Sequence, residues 1–348
     1  MVVQFEGCDK KLFLACIGGS ILAYNAARLA GGALLAGQKT EWVPIGTVKH
    51  LRLFPIKSCK AKEVFSFFCG SHGASLNAVF DRSFMVVNGE TGKFYTARQH
   101  PMLVLLEGDI FDGLLKLKKP GGAELVVDMH KVVSEKKRLI RTKLHGNLEA
   151  DGIDCGDAAA EFIASHIGEN VARLVFYTEG LYNGRVCETD QDWWKNNPVP
   201  KRKDTVAYAD LAPYMITTEA SLEDLNSRLD KKVTSMNFRA NIVVDKCTAW
   251  DEDKWLDLRF GESADSVELQ CFKPCTRCVL TTVDPVSGVK DVNMQPLREL
   301  RAFRLAPEGK MRAVHGDSPI FGVNAGLLRP GYIHVGQTVW AKYKPSVF

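Results

Sequence analysis

The 348-residue chain has no acidic tail, no basic block, no low-complexity tract and no internal repeat. The missing repeat excludes solenoid and propeller architectures. The missing basic block, with a formal net charge of only +4, argues against a dedicated nucleic-acid protein. No Asn-x-Ser/Thr acceptor for N-glycosylation occurs, and most of the ten cysteines are scattered in apolar surroundings. Both features lean towards a reducing compartment. No G-x-G-x-x-G stands in a βαβ setting and no C-x-x-C-H is present, so the chain carries neither a dinucleotide fingerprint nor a haem-attachment motif.

What is present is an ordinary globular composition, 46% hydrophobic and 25% charged. The length suits about two domains. Charge is nearly absent from residues 10–37, "KKLFLACIGGSILAYNAARLAGGALLAG", which Lys10 and Lys11 open and Arg28 interrupts. The clean apolar run is slightly shorter than a spanning helix requires. We read residues 1–40 as a signal-anchor segment. A cleaved secretory signal and a buried N-terminal helix are the alternatives.

Beyond Gln38 the sequence reads as short strands with turn signals. "GTVKHLRLFPI", "MLVLLEGD", "LLKLKKPGGAELVVDM", "KRLIRTKLHG" and "ARLVFYTE" follow the β pattern, and "SFMVVNGETGKFYTA" reads as a hairpin turning at residues 88–92. "CGDAAAEFIASHIG" predicts a helix with Ala158, Phe162, Ile163 and Ile167 on one face and Asp154 or Asp157 near its start. "ETDQDWWKNNPVPKRKDT" predicts an exposed linker, with a domain boundary beside it. "TTEASLEDLNSRL" predicts a helix burying Leu222, Leu225 and Leu229, capped by Thr218 or Ser221. "ANIVVD", "SVELQCF", "CVLTTVD" and "RAFRLAP" are expected strands. The fold class is therefore mainly β with a few helices, in largely antiparallel sheets.

One short stretch concentrates chemistry. "CFKPCTRC" places Cys271, Cys275 and Cys278 within eight residues. A structural zinc site needs four ligands, and no second Cys/His pair lies nearby. C-x3-C-x2-C is also a spacing of iron–sulfur enzymes that split S-adenosylmethionine, but those follow it with a long βα series, whereas here β and turn patterns follow. A disulfide needs an oxidising compartment. Three ordinary core or surface thiols are a fourth reading. On the cysteines alone these alternatives stay open.

Their neighbours narrow the choice. "SMNFRANIVVD" followed by "CTRCVLTTVDPVSG" resembles the MOSC family, named for the C-terminal part of molybdenum cofactor sulfurase. "RLFPIKSC", "FDRSFMVVNGETGKFYTARQ", "YADLAPYMITTEASLEDLNSRL" and "SPIFGVNAG" extend the resemblance, in order, over about residues 45–343, and point to the amidoxime-reducing branch. The resemblance implies a MOSC N-terminal β-barrel-like domain at 45–180 and a MOSC β-barrel domain at 195–345. It implies a molybdenum–molybdopterin cofactor whose metal takes one protein thiolate, Cys278. A soft thiolate suits such a metal. Cofactor contacts carry over to Lys57, Ser58, Arg82, Asp210, Leu211, Arg239, Asn241, Thr276, Arg277 and Asn324. Asp210 is the implied catalytic acid beside the metal, positioning water or carrying a proton.

The implied reaction reduces amidoximes and hydroxylamines to amidines and amines. The implied partners are a b-type haem cytochrome and its NADH-dependent flavin reductase, with no nucleic acid. The implied location is the mitochondrial outer membrane, with the catalytic domain facing the cytosol. The other class within the family is a non-catalytic module for cofactor carriage or sulfur transfer. The sulfurase's pyridoxal-phosphate domain has no room in this chain. Ala240 stands where the family often has Pro, Leu211 where relatives carry Thr and Asn324 where some relatives carry Tyr, which bears on substrate range.

Overall fold

Seven strands close on themselves around a packed interior. They are β1 (Val43–Leu53), β2 (Tyr214–Thr218), β3 (Ile242–Asp245), β4 (Trp255–Phe260), β5 (Val267–Thr276), β6 (Ile320–Arg329) and β7 (Thr338–Tyr343). The order around the barrel is β1-β3-β2-β6-β5-β4-β7, returning to β1. The computed structural model describes residues 41–77, 79–136, 138–145, 148–188 and 202–345. The expected anchor, residues 1–40, and most of the expected linker lie outside the described residues. Among the described residues no helix is long and apolar enough to cross a membrane.

Every barrel pairing is antiparallel except β2 with β3. A parallel pair needs a crossover, and the helix Glu219–Asn226 supplies it. Its cap is Thr218, whose hydroxyl accepts from the Ser221 amide at 3.1 Å. Leu222 and Leu225 are buried along it, and Leu229 is buried just beyond its end.

On β1 the inward residues Ile45, Val48 and Leu51 fall three apart instead of two. Bulges between Pro44 and Gly46 and between Val48 and His50 each add a residue without a partner. Gly46 is required there, because a Cβ would stand 1.9 Å from the Asp245 carbonyl oxygen. Trp255, Tyr214, Phe260, Leu258 and Cys271 fill the interior. The barrel is thus a core and not a pore, and ligand chemistry must sit in its loops.

A second core gathers around a four-stranded antiparallel sheet of Leu139–Lys143, Glu149–Asp154, Ala172–Phe176 and Phe84–Asn88. The helix Asp157–Ile167 packs on it through Ala159, Ala160 and Ile163, while Ala158 is exposed. Its N-cap position is Gly156, whose amide bonds the Asp154 carboxylate at 3.0 Å.

Three expected strands are helical in whole or in part, although the end of "MLVLLEGD" does enter the strand Glu107–Phe111. Pro101–Leu105 is a 3₁₀ turn, since Pro101 lacks a ladder donor and presets a helical φ. Val279–Thr282 is another, its Thr281 and Thr282 hydroxyls donating back to the carbonyls of Cys278 and Val279 at 3.0 and 2.8 Å. The region of "RAFRLAP" begins inside the α-helix Leu297–Phe303, which buries Leu297 and Leu300 three residues apart.

Between β3 and β4 the turn Asp251–Asp253 buries three consecutive acids. Glu252 is fully buried and accepts from Ser221 Oγ at 2.8 Å and Thr218 Oγ1 at 3.1 Å, while its Oε1 has no partner. Burial first, and then Asp253, push its carboxyl up to about 7. The folded chain therefore holds this proton more tightly than the unfolded chain. The associated stability is full below pH ~4.5 and is lost as pH rises towards 7. Glu252→Gln is expected to raise stability at pH 8 by at most ~3 kcal/mol, with no gain at pH 4.5. Thermal melts at the two pH values measure this, and a lower melting point for the variant at pH 8 contradicts it.

Candidate functional site

Loops at the strand ends bring together the segments that the sequence singled out. Three of the candidate residues hold left-handed backbone: Ser58 (φ 68°), Arg82 (φ 55°) and Arg239 (φ 55°). Non-glycine residues adopt this region rarely and at a cost, and such residues cluster at functional sites.

Lys57 follows β1 and is buried. Its ammonium donates to the Tyr208 carbonyl at 2.7 Å and to the Asp210 carboxylate, and lies 5.5 Å from the Phe94 ring centre. Burial drives the Lys57 pKa down to about 8, against the pull of Asp210; Arg185 and Arg82 depress it further. The Asp210 side chain is 66% exposed. The surrounding protein by itself would raise its carboxyl, but Lys57, Arg185 and Arg82 outweigh that and hold it well below the usual carboxylate range. Asp210 is thus ionised at neutral pH. An ionised carboxylate there can accept hydrogen bonds from water or a substrate.

A second group surrounds Phe54. The guanidinium carbons of Arg82 and Arg239 lie 4.4 and 4.3 Å from its ring centre, a cation–π distance. Arg82 pairs with Asp81 and donates to the Arg239 carbonyl at 3.2 Å. Arg239 Nη1 reaches the Cys59 carbonyl at 2.7 Å, and its Nη2 is buried without a partner. Burial and then Arg82 lower the Arg239 pKa to about 10.

The third group carries the thiols. Cys271 is sealed in the barrel, Cys275 is half-buried and Cys278 is exposed. Burial pushes the thiols of Cys271 and Cys275 up. Cys278 begins the turn Val279–Thr282, and its carbonyl accepts from the Thr281 amide and hydroxyl. Among the described residues no three His, Cys, Asp or Glu side chains gather as a metal site. Arg277 donates through Nε and Nη2 to the Phe321 carbonyl at 2.8 and 2.6 Å and through Nη1 to the Phe238 carbonyl at 2.8 Å. Its fork fastens the rim. Gly322 makes room for it, since a Cβ there would lie 2.5 Å from the Ile216 oxygen and 3.3 Å from Arg277 Nη2.

The remaining candidates are less available. Asn241 bonds the Arg52 carbonyl and the Met215 amide, both at 3.2 Å, so its amide ties β1 to β2. Asn324 donates to the Pro274 carbonyl at 3.3 Å. Thr276 and Leu211 are half-buried, and Ser58 is buried. The groups are linked electrostatically. Asp210 acts on Cys275, which also feels Cys278, and Arg82 acts on Lys57, Arg239 and Arg277.

Sequence reasoning missed Arg185. Its guanidinium is buried, Nη2 bonds the carbonyls of Ala209 and Asp210, and Nε and Nη1 have no partner. The only local signal is the Asn183–Gly184 turn, which announces a bend and no chemistry.

A phosphate-bearing cofactor fits these residues. Among the described residues, the acids that face Lys57, Arg82, Arg185 and Arg239 are Asp81 and Asp210, an excess of two positive charges that matches a phosphate dianion. Buried donors of Arg185 and Arg239 without partners add to the fit.

These features define a closed β-barrel protein with a cationic, anion-seeking site beside one exposed thiol. The models of the MOSC N-terminal beta barrel domain and the MOSC domain match residues 45–170 and 203–340, and the chain belongs to the MOSC family. It is 38% identical over 296 residues to mitochondrial amidoxime-reducing component 1 of Mus musculus, covering 85% of this chain and 82% of that protein. The Homo sapiens component 1 is 36% identical over 85% of this chain and 83% of its own. Component 2 of Rattus norvegicus is 37% identical over 332 residues, 94% of this chain and 91% of its own.

Proposed function

We propose that this chain is an oxidoreductase that holds a molybdenum–pterin cofactor and removes oxygen from N-hydroxylated small molecules, amidoximes and hydroxylamines. One exposed thiol beside a site with two surplus positive charges carries this reading. The names of the relatives agree with it. An amidoxime takes up two electrons and two protons and leaves as an amidine and water. When bound, the cofactor supplies the two-electron oxygen chemistry at the N–O bond.

The chain's own residues do the rest. Cys278 offers the protein thiolate. Lys57, Arg82, Arg185 and Arg239 hold the phosphate end. Arg277 keeps the loop of Cys278 against Phe238 and Phe321. The ionised, exposed Asp210 accepts N–H groups of an amidoxime or of the cationic amidine product. Lys57, with its lowered pKa, is a proton-bearing group within reach of that carboxylate.

The proposal extends to two domains, 45–180 and 195–345, both contributing residues to the site. It places the protein at the mitochondrial outer membrane through residues 1–40, with the catalytic part in the cytosol. Electrons come from a b-type haem cytochrome and its NADH-dependent flavin reductase, because the sequence carries no nucleotide or haem motif. Purified protein is expected to contain molybdenum in stoichiometric amount. It should not reduce benzamidoxime with NADH alone, and should begin turnover when both partners are added. Turnover without partners contradicts the donor assignment. A labile persulfide on a metal-free protein favours the sulfur-transfer module instead.

A further inference from the structure

Arg185 is 4% exposed, yet two of its three guanidinium nitrogens have no hydrogen-bond partner. Leaving buried donors unmet costs about 1–3 kcal/mol. A residue needed only to brace a turn would be less costly as a neutral amide. What the guanidinium does reach is specific. Its Nη2 donates to the Ala209 carbonyl and, at 2.9 Å, to the Asp210 carbonyl. Those peptides carry the side chain that meets Lys57. Lys57 itself donates to the Tyr208 carbonyl, so two cations grip three consecutive carbonyls of one segment. The Arg185 amide is fixed by Asn183 Oδ1 at 2.9 Å, and Asn183 Nδ2 is anchored on the Val206 carbonyl at 2.6 Å.

We propose that Arg185 is a positioning residue of this site: it clamps the carbonyls of Ala209 and Asp210 and so holds the Asp210 carboxylate on Lys57. The inference rests on the functional reading above for its importance to catalysis, but the clamp itself is a property of the polypeptide. Besides each other, the charged and titratable groups coupled to Lys57 and Asp210 are Arg185, Arg82, Arg239, Cys275 from the strand Val267–Thr276 and, from the loop after Leu139–Lys143, His145.

The clamp makes a prediction whose sign separates it from a mere neighbouring charge. Arg185 repels the Lys57 proton, and Asp210 attracts it more strongly. If Arg185 only adds charge, removing it raises the Lys57 midpoint. If Arg185 holds Asp210 in place, removing it frees Asp210 and the Lys57 midpoint falls. The experiment is carbon-13 NMR of the reductively methylated full chain, with the Lys57 signal assigned by its loss in Lys57→Arg. Arg185→Met is expected to lower the midpoint by about one pH unit, as Asp210→Asn does. Arg185→Lys, which keeps the charge and one donor, should fall less. A rise or no change in Arg185→Met overturns the proposal. Should that variant not fold, Arg185→Gln, which keeps one amide donor, is read by the same sign. Arg185 also stands among the cations at the phosphate end, so the enzyme is compared per bound molybdenum, where the corresponding result is a lower kcat with KM little changed. Because the titration needs no metal, molybdenum-free wild-type protein sinks the cofactor reading and leaves the clamp to be judged separately.

Discussion

Cys278→Ser is expected to abolish benzamidoxime reduction, a fall of roughly three orders of magnitude or more, the scale seen when a group acting directly in the chemistry is removed. A hard hydroxyl replaces a soft thiolate at the only position in the cluster where sulfur is exposed. The other two thiols do not share this fate. Cys271→Ser places a hydroxyl inside the barrel and should cost about 1–3 kcal/mol of stability, with the surviving protein active. Cys275→Ser should keep most activity, because Cys275 is half-buried and a serine hydroxyl can donate to the Thr276 carbonyl as the thiol does. Activity and molybdenum content of the three variants, measured together, decide the matter. Equal loss in all three would reject the single-ligand assignment.

The Lys57–Asp210 pair should split into two different phenotypes. Lys57→Met removes a buried cation and leaves a carboxylate that is mostly exposed and can rehydrate, so stability should change by only about 1 kcal/mol. It also removes a charge-assisted donor worth about 1.5–3 kcal/mol, so retained molybdenum should fall roughly tenfold to a hundredfold. Asp210→Asn does the reverse. It leaves Lys57 buried without its counter-charge, lowers the Lys57 midpoint below about 8 and destabilises the fold by about 1–3 kcal/mol. It also makes the site more positive, so the cofactor should be held at least as well while kcat falls. Metal analysis after dialysis, with melts at pH 7, measures both arms. Full molybdenum retention by Lys57→Met removes Lys57 from the phosphate site.

The mainly β class was readable from short alternating runs and turn residues, and the helices at Asp157–Ile167 and Glu219–Asn226 from their apolar spacing and, for the latter, its Thr218 cap. The three misread segments share one cause. "MLVLL", "CVLTT" and "RAFRLAP" are short apolar runs, and strand and helix patterns overlap at that length. Local chemistry outside the pattern decided them: Pro101, the back-bonding hydroxyls of Thr281 and Thr282, and the burial of Leu297 with Leu300.

The sequence by itself determined the residue types available to the site: one lysine, several arginines, an acid and a thiol, each between apolar strand segments. It did not determine which of them remain available. Asn241 and Arg277 look from their motifs like ligand contacts, yet their polar atoms bind backbone carbonyls and amides of distant loops. Arg239 reaches the carbonyl of Cys59, 180 residues away, and still keeps one buried donor free. Arg185 carries no motif at all. A hydrogen bond is a relation between two positions in space, and only the closed barrel and the loops it aligns set those positions. The chemistry was therefore written in the residues, and the tertiary structure decided which donors and charges are left unmatched for a ligand.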